Sequence, residues 1–368
     1  MHSDFKIRIF QPIVPEYRVA LFDGLGEQYG DRIEIWAGQA IGQDKSYPLT
    51  KMKYDYGHPL KRIGPVVWQK GLSLNGLGKG DVIVICGDVH QLSSMWIALK
   101  AKWHGISVVW WGHHVSALAK AKSVKTRLAI AKRLSDIYLC YTDAGINYLE
   151  DCGFSHGRVF ATGNTIDLDA VEHAKCDWDG SRKFGEKKTL LFCGVLREKV
   201  RIDVLLKALK ILAEKRTDIH CAIIGSGPME HDWKKMAHDI GVDMIVSWCG
   251  ELRGQAKLAP WFLSSDLFVY PGRIGLSIIH SFAFGLPVVL NDNKENHGPE
   301  YAAFQPGING WVFKENDEED FARAIDEALN SDDLKVRGEA GQRYVSEHYS
   351  MQRMIERFSE AIEAAHKL

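Results

Sequence analysis

Three cations follow an apolar run in the second half of the chain. Arg197, Lys199 and Arg201 stand on alternate positions. They lie between the run Thr189–Cys193 and a helical pattern that begins at Val204. Guanidinium and ammonium groups bind phosphate oxygens, and the free amides of a helix N-terminus add further donors. The spacing therefore suits a diphosphate, and an ordinary solvated loop before a helix is the alternative.

The stretch from Tyr270 to Val289 has the most specific pattern in the sequence. It contains a strand, a glycine-bearing loop, a short and mostly apolar helix, a glycine stop and another strand. The amides of Gly275, Leu276 and Ser277 stand at the N-terminus of the predicted helix. Such amides point to the place where an anion would bind.

Two histidines and an aspartate stand at strand ends in the first half of the chain. The run Ser107–Trp111 is followed by Gly112, His113 and His114. An imidazole near neutral pH can polarise or orient a hydroxyl group, and we expect His113 to do so. We expect His114 to point elsewhere; the alternative is that both are surface-loop residues. Asp88 follows the preceding strand, where it would bind a ligand or cap the next helix.

These residues stand at the ends of regularly spaced strands. Short runs rich in Val and Ile alternate with longer amphipathic segments, a pattern typical of parallel strands joined by crossover helices. The predicted strands of the first half are Lys6–Phe10, Ile33–Ala37, Val82–Cys86, Ser107–Trp111, Ile137–Tyr141 and Arg158–Ala161. Those of the second half are Thr189–Cys193, His220–Ile224, Ile245–Trp248, Leu267–Tyr270, Pro287–Asn291 and Gly310–Phe313.

The length and the polar stretches predict two domains. A chain of 368 residues exceeds what one hydrophobic core usually organises. We predict two doubly wound α/β domains, at residues 1–175 and 189–349, with the polar residues 176–188 as a linker. Residues 350–368 carry apolar side chains at helical spacing and need a surface to pack against. In doubly wound sheets, ligands bind beyond the carboxyl ends of the strands.

Composition excludes several classes of protein. The formal net charge of -1 argues against a bulk electrostatic partner such as nucleic acid. Seven dispersed cysteines without a Cys-x-x-Cys pair favour a reducing compartment and argue against a metal site. No signal-peptide pattern and no run of 18 apolar residues is present. We therefore expect a cytoplasmic protein.

A basic amphipathic segment runs from Ser116 to Arg133. Its cations alternate with Ala, Val, Leu and Ile, which suits an anionic membrane surface. A solvated helix face is the alternative. The cations are Lys120, Lys122, Lys125, Arg127, Lys132 and Arg133.

The second half resembles family 4 of the retaining glycosyltransferases, which have the GT-B architecture. The segments that carry the resemblance are the run from Gly194, Gly225–Pro228, Asp266–Pro271, Gly285–Val289 and Gly307–Gly310. Pro15–Arg18 and Asn164–Asp167 extend it more loosely into the first half. The resemblance implies two Rossmann-like domains that face each other across a cleft, with the last helix crossing back to the N-terminal domain.

The resemblance also assigns the candidate site residues. It places His113 beside the donor sugar as the catalytic residue. The donor is a nucleotide diphosphate sugar, transferred with retention, and the enzyme needs neither a metal nor another cofactor. The donor-binding residues are Lys199, Arg201, Gly225, Arg273, Gly275, Leu276, Ser277, His280 and Glu300; the acceptor-binding residues are Tyr17, Arg18 and Asp88.

The sequence departs from the family at the two glutamates of its paired-glutamate motif. The aligned positions are Gly272 and His280. A histidine can replace a carboxylate at a ribose hydroxyl, whereas glycine cannot, so Arg273 is expected to contact the donor instead. The family's arginine after the first glycine is Val195 here, and we therefore favour Lys199 with Arg201 as the phosphate pair. Glu300 is the remaining carboxylate that could contact the donor. The alternative is that it only stabilises the N-terminus of a helix through the helix dipole.

These features predict a glycosyltransferase of surface polysaccharide or lipopolysaccharide synthesis, acting on a glycan or lipid-linked acceptor. Peripheral contact with the inner face of the membrane would use residues 116–133. Two other functions are weighed against it: a sugar-nucleotide epimerase, which the missing carboxylates disfavour, and a non-catalytic sugar-nucleotide-binding subunit, which they favour.

Overall fold

Two parallel sheets flanked by helices organise the chain in this computed structural model, which describes residues 5–41, 44–113 and 121–368. The chain forms two units, one of Met1–Asn164 with Met351–Leu368 and one of Thr165–Ser350. The predicted α/β class with two doubly wound domains is confirmed. Each of the twelve predicted strands is present, with ends that differ from the prediction by at most two residues.

The first unit contains a seven-stranded sheet and two small hairpins. Its strands are β1 (Ile7–Phe10), β2 (Ile33–Trp36), β3 (Ala40–Ile41), β4 (Asp44–Lys45), β5 (Lys53–Asp55), β6 (Leu60–Ile63), β7 (Val66–Gln69), β8 (Val82–Cys86), β9 (Ser107–Trp111), β10 (Ile137–Cys140) and β11 (Val159–Ala161). Its first four helices are α1 (Val19–Tyr29), α2 (Leu92–Trp103), α3 (Ala121–Leu134) and α4 (Asp143–Asp151).

The strand order of the first sheet is β11-β10-β9-β8-β1-β2-β5, and all its neighbours pair in parallel. The sequence analysis missed β5 and the two hairpins. The side chains of β3, β5 and β6 are largely exposed, and β7 is a short, half-buried strand. The central strands were predicted because they are buried on both faces, which requires apolar residues throughout.

The second unit has a six-stranded parallel sheet in the order β14-β13-β12-β15-β16-β17. Its strands are β12 (Lys188–Cys193), β13 (Ile219–Ile224), β14 (Val246–Gly250), β15 (Leu267–Tyr270), β16 (Val288–Asn291) and β17 (Gly310–Phe313). Its helices are α5 (Leu168–Cys176), α6 (Ile202–Ala213), α7 (Glu230–Asp239), α8 (Gln255–Leu263), α9 (Ser277–Ala283), α10 (Glu318–Leu329) and α11 (Leu334–His348).

The two units divide before the polar stretch that was predicted as a linker. The division falls between Asn164 and Thr165, and α5 packs against α8 within the second unit. The buried Val171 and Ala174 of α5 join the core of that unit. Residues 165–175, which the prediction gave to the first domain, therefore belong structurally to the second.

The last helix, α12 (Met351–His366), packs in the first unit. Phe358, Ala361 and Ile362 are fully buried in one core with residues of β1, β8 and α1. The ring of Phe358 meets that of Trp111 edge to face at 4.9 Å. This packing gives the apolar stripe of the tail the surface that its pattern requires.

Candidate functional site

The second sheet reverses its winding between β12 and β15, which are neighbours in space but not in sequence. Doubly wound sheets bind ligands beyond the carboxyl ends of the strands at such a point. Gly194 follows β12 and Tyr270 ends β15; a Cβ atom added to Gly194 would lie 3.0 Å from the Tyr270 hydroxyl. The loops after these two strands carry Lys199 and Arg273, so the topology brings these predicted donor residues to one edge.

A cluster of positive charge occupies this edge. The amide of Arg273 donates a hydrogen bond to the backbone oxygen of Lys199 at 2.9 Å. Burial, and after it the charges of Arg273 and Arg197, lower the pKa of the Lys199 ammonium below its ordinary value. Among the described residues, none of these three cations forms an ion pair with a carboxylate. The cluster can therefore accept an anion without first breaking an ion pair.

Arg201 differs from these cations because its side chain is already engaged. Its Nη2 lies 2.8 Å from Oδ2 of Asp203, and its Nη1 donates to Oδ1 of Asn316. Its backbone is left-handed, with φ of 53°. The contact with Asp203 raises the pKa of the guanidinium. Lys199 thus lies near Arg197 and Arg273. Arg201, the residue predicted to bind phosphate together with Lys199, is instead paired with a carboxylate.

Glycine is required where these loops touch. Gly225 has φ of 135°, and a Cβ there would lie 1.9 Å from the Gly194 oxygen. At Gly272, a Cβ would lie 2.3 Å from the Lys199 oxygen and 2.7 Å from the Val200 carbonyl carbon. No carboxylate side chain fits at position 272 unless the backbone of the β12 loop moves.

Two polar residues that the sequence analysis missed hold the β15 loop. The buried amide of Asn291 donates to the backbone oxygens of Pro271 and Gly272 at 3.0 and 3.1 Å. His297 accepts a hydrogen bond at Nδ1 from the Ile274 amide, and its Nε2 lies 3.2 Å from the Asn291 oxygen. This arrangement requires a neutral ring with its proton on Nε2. Burial lowers the pKa of His297 to about 4.

The predicted ribose ligand His280 lies on α9 and contacts α8. Its Nε2 is 3.1 Å from Oε1 and 3.0 Å from Nε2 of Gln255. Burial lowers the pKa of His280 to about 4, so the ring is neutral near pH 7. Gln255 directly follows the loop from Gly250 to Gly254, and His280 is thereby tied to that loop.

The remaining donor-side residues lie close to one another. Gly275 and Leu276 precede α9, and Ser277 is its first residue. Glu300 is buried, and its Oε2 lies 3.6 Å from the position that a Gly275 Cβ would take. A Cβ at Gly298 would lie only 2.7 Å from the same oxygen. The carboxylate of Glu300 is therefore packed against the two glycines beside the start of α9.

In the first unit, the predicted acceptor residue Arg18 lies just before α1 among aromatic side chains. Its Cζ is 4.0 Å from the centre of the Trp111 ring, and its Nη2 donates to the Tyr141 hydroxyl at 3.1 Å. Tyr17 is partly exposed beside it. The ring of His113, which is exposed, lies 4.6 Å from that of Tyr141. The structure thus brings His113 and Arg18 to the same aromatic residue.

Asp88, a predicted acceptor-binding residue, does not cap the next helix, which was its alternative role. Its Oδ1 accepts a hydrogen bond from the His90 amide at 2.9 Å and lies 2.8 Å from Nδ1 of His90. Helix α2 has Gln91 at its N-cap, and the side chain of Gln91 makes no capping hydrogen bond to the helix backbone. His114, and the start of the basic segment up to Lys120, lie outside the described residues.

Parts of the chain are similar in sequence to known glycosyltransferases. Residues 178–344 match the family model described as "Glycosyl transferases group 1". An uncharacterized glycosyltransferase of Haemophilus influenzae is 27% identical over 182 residues, 46% of this chain and 48% of the relative. The lipopolysaccharide core biosynthesis glycosyltransferase LpsE of Rhizobium meliloti is 26% identical over 220 residues, 58% of this chain and 59% of the relative. The chain thus spans about half the length of these curated relatives.

The fold is similar to that of known protein structures. HepE of Anabaena, solved in complex with UDP, aligns with a TM-score of 0.72 at 14% identity. The alignment covers 98% of this chain and 100% of HepE. Residues 178–344 are therefore similar in sequence to group 1 glycosyl transferases, and the chain has the GT-B fold.

Proposed function

We propose that the protein is a glycosyltransferase whose second unit binds a nucleoside diphosphate sugar. The observation that carries the proposal is the cluster of Arg197, Lys199 and Arg273 at the switch point of the second sheet. These cations have no carboxylate partner among the described residues. Arginine and lysine are the side chains that bind phosphate groups, and a diphosphate would compensate their charge.

The donor diphosphate is assigned to Lys199 and Arg273 in this proposal. This assignment revises the pair Lys199 and Arg201, because Asp203 already neutralises Arg201. Gln255 and His280 are the neutral polar pair for the nucleoside, since both can exchange hydrogen bonds with hydroxyl groups. UDP is the first nucleotide to test, because HepE was solved with it.

The acceptor is proposed to be a glycan or a lipid-linked glycan bound by the first unit, in surface polysaccharide or lipopolysaccharide synthesis. The name of LpsE, a relative in lipopolysaccharide core biosynthesis, supports this choice. His113 is proposed to orient the reacting groups. Retention at the anomeric carbon and independence from metals and other cofactors belong to the same proposal, on the strength of the family resemblance alone.

Contact with a membrane is a further part of the proposal. Within the described residues, none of the helices combines the length with the apolar character that a membrane span needs. Helix α2 nevertheless exposes four large apolar side chains at spacings of four, three and four residues, on one face. They are Leu92, Trp96, Leu99 and Trp103.

The neighbouring helix α3 contacts α2 and exposes Lys125, Lys132 and Arg133. Tryptophan and leucine beside cations suit the interface of an anionic membrane. We propose that this surface, together with the basic segment 116–133, holds the protein at the cytoplasmic face of the membrane near a lipid-linked acceptor.

The test is incubation of the whole chain with UDP-, GDP- and dTDP-sugars, with and without lipid-linked acceptor, while nucleotide release is measured. Acceptor-dependent release supports the glycosyltransferase. Interconversion of sugars without acceptor supports an epimerase, and nucleotide-sugar binding without turnover on any acceptor supports a non-catalytic subunit. The anomeric configuration of the product tests retention, and activity in excess EDTA tests metal independence.

A further inference from the structure

Arg18 carries a buried charge that no carboxylate within the described part of the chain compensates. The residue is only 8% exposed. Its Nη2 bonds to the neutral hydroxyl of Tyr141, and its Nη1 is buried without a hydrogen-bond partner among the described residues. The groups that favour its charge are the phenols of Tyr141 and Tyr17. Since a guanidinium stays protonated in proteins, its burial here is unfavourable until an anion arrives.

Arg8, on strand β1 of the same unit, has the environment of a buried arginine with a structural role. Its exposure is 5%, and it forms an ion pair with Glu34 in which Nη2 lies 2.6 Å from Oε1. Its two terminal nitrogens also donate to the backbone oxygens of Ser73 and Asn75. Every nitrogen of the Arg8 guanidinium thus has an acceptor, which shows that the fold can satisfy a buried arginine completely.

The position of Arg18 is the one where a doubly wound sheet binds a ligand. The first sheet reverses its winding between β1 and β8. Arg18 lies after β1, immediately before α1, on the side of the carboxyl ends of the strands. Trp111, at the end of β9, lies under the guanidinium, and His113 follows two residues later. The uncompensated charge therefore stands close to the proposed catalytic histidine.

We propose that Arg18 binds an oxyanion of the acceptor, so that the acceptor is a sugar with a phosphate or carboxylate group near its reacting hydroxyl. This inference rests on the proposed glycosyltransferase function. Both oxyanions match the planar guanidinium in charge and geometry. The stacked Trp111 ring holds the guanidinium in place before the acceptor binds.

The inference is tested by calorimetric titration of the whole chain with inorganic phosphate, glucuronate and methyl glucoside, in the presence of saturating UDP. We expect phosphate or glucuronate to bind and neutral methyl glucoside not to bind. Arg18→Met should weaken the binding of that anion at least tenfold, whereas Arg18→Lys should retain part of it. Whichever anion binds identifies the acceptor group, and failure of both to bind overturns the proposal.

A stability measurement separates this role from a structural one. Arg18→Met should leave the melting temperature unchanged or raise it, because it removes an uncompensated buried charge. The matched change Arg8→Met should lower the melting temperature and leave anion binding intact. The proposal would be overturned if Arg18→Met lowered the melting temperature as much as Arg8→Met does. It would also be overturned if Arg18→Met left anion binding unchanged. UDP binding is measured separately for the wild type and both Arg18 variants, and it tests the donor site. If the wild type does not bind UDP, the proposed function is refuted, whereas the anion site is not.

Discussion

The amide of Arg273 donates a hydrogen bond to the backbone oxygen of Lys199, and the 2.9 Å contact joins the loops that follow β15 and β12. The side chains of the same two residues carry like charges, and each disfavours the other. The backbone bond therefore holds together two cations that would separate on electrostatic grounds alone. An arrangement of this kind is expected where an anionic ligand supplies the missing charge.

Removing either cation should weaken nucleotide binding. We expect Lys199→Met and Arg273→Met each to raise the Kd for UDP about 10- to 100-fold, the effect of losing one charged hydrogen bond. Arg201→Gln is the matched control, because Arg201 is bound to Asp203. It should change the Kd by much less, and calorimetry measures all three. A larger loss with Arg201→Gln than with Arg273→Met would restore Arg201 as the phosphate partner.

Gly272→Ala should impair the donor site without touching a charged group. The added Cβ would lie 2.3 Å from the Lys199 oxygen, so the two loops must separate. We expect a loss of about 1–3 kcal/mol in the free energy of unfolding, together with weaker UDP binding. Gly78→Ala is the control, since nothing lies within 4 Å of a Cβ there. Equal UDP affinity in the two variants would show that the contact between the loops has no role in binding.

His113→Ala should lower kcat by at least about 100-fold, the usual contribution of a positioned acid or base. The Kd for UDP should not change, because His113 lies in the first unit. The backbone oxygen of His113, which accepts a hydrogen bond from Tyr138, remains in the variant. Initial rates with saturating donor and acceptor measure the effect. A wild-type kcat would remove the catalytic role of His113.

The exposed apolar face of helix α2 should contribute to membrane binding. Trp103 is 77% exposed, and Trp96 is also exposed on the same face. We expect Trp96→Ser and Trp103→Ser each to weaken binding to vesicles of phosphatidylglycerol and phosphatidylcholine roughly tenfold, because each removes a large apolar side chain from the interface. The exposed Val336 in the second unit provides the control Val336→Ser. Co-sedimentation measures the effect, and no binding by the wild type would end the membrane proposal.

Stability should fall in acid because of His297. Its pKa is about 4 in the folded chain and near 6.5 in the unfolded one, so the folded state binds fewer protons between these values. The stabilisation by the neutral ring is complete above pH 6.5 and is lost as the pH falls towards 4. The shift corresponds to on the order of 3 kcal/mol. Melting temperatures at pH 7 and 4.5 should differ less in His297→Gln than in the wild type.

If the melting temperature changed equally between pH 7 and pH 4.5 in the wild type and in His297→Gln, the assignment of a neutral, buried His297 would be contradicted. His280, whose pKa is also about 4, titrates in the same range. The wild type and His297→Gln retain it alike, so the difference between them reports His297 alone.

The local pattern of the sequence determined the buried strands of both units. Buried parallel strands need apolar residues on both faces, and this made all twelve of the predicted strands visible. The strand β5 was missed because its side chains, Lys53 to Asp55, are exposed and form no apolar run. The apolar stripe of α12 likewise predicted that the helix needed a surface, which the first unit provides.

Only the tertiary structure decided how each polar residue of the site is used. Arg197, Lys199 and Arg201 look alike in sequence, but a carboxylate two residues away engages Arg201, while the sheet order brings Arg273 to Lys199. Arg8 and Arg18 are likewise indistinguishable by type. They differ in whether the folded chain places hydrogen-bond acceptors around the buried guanidinium. That placement depends on contacts between residues far apart in sequence.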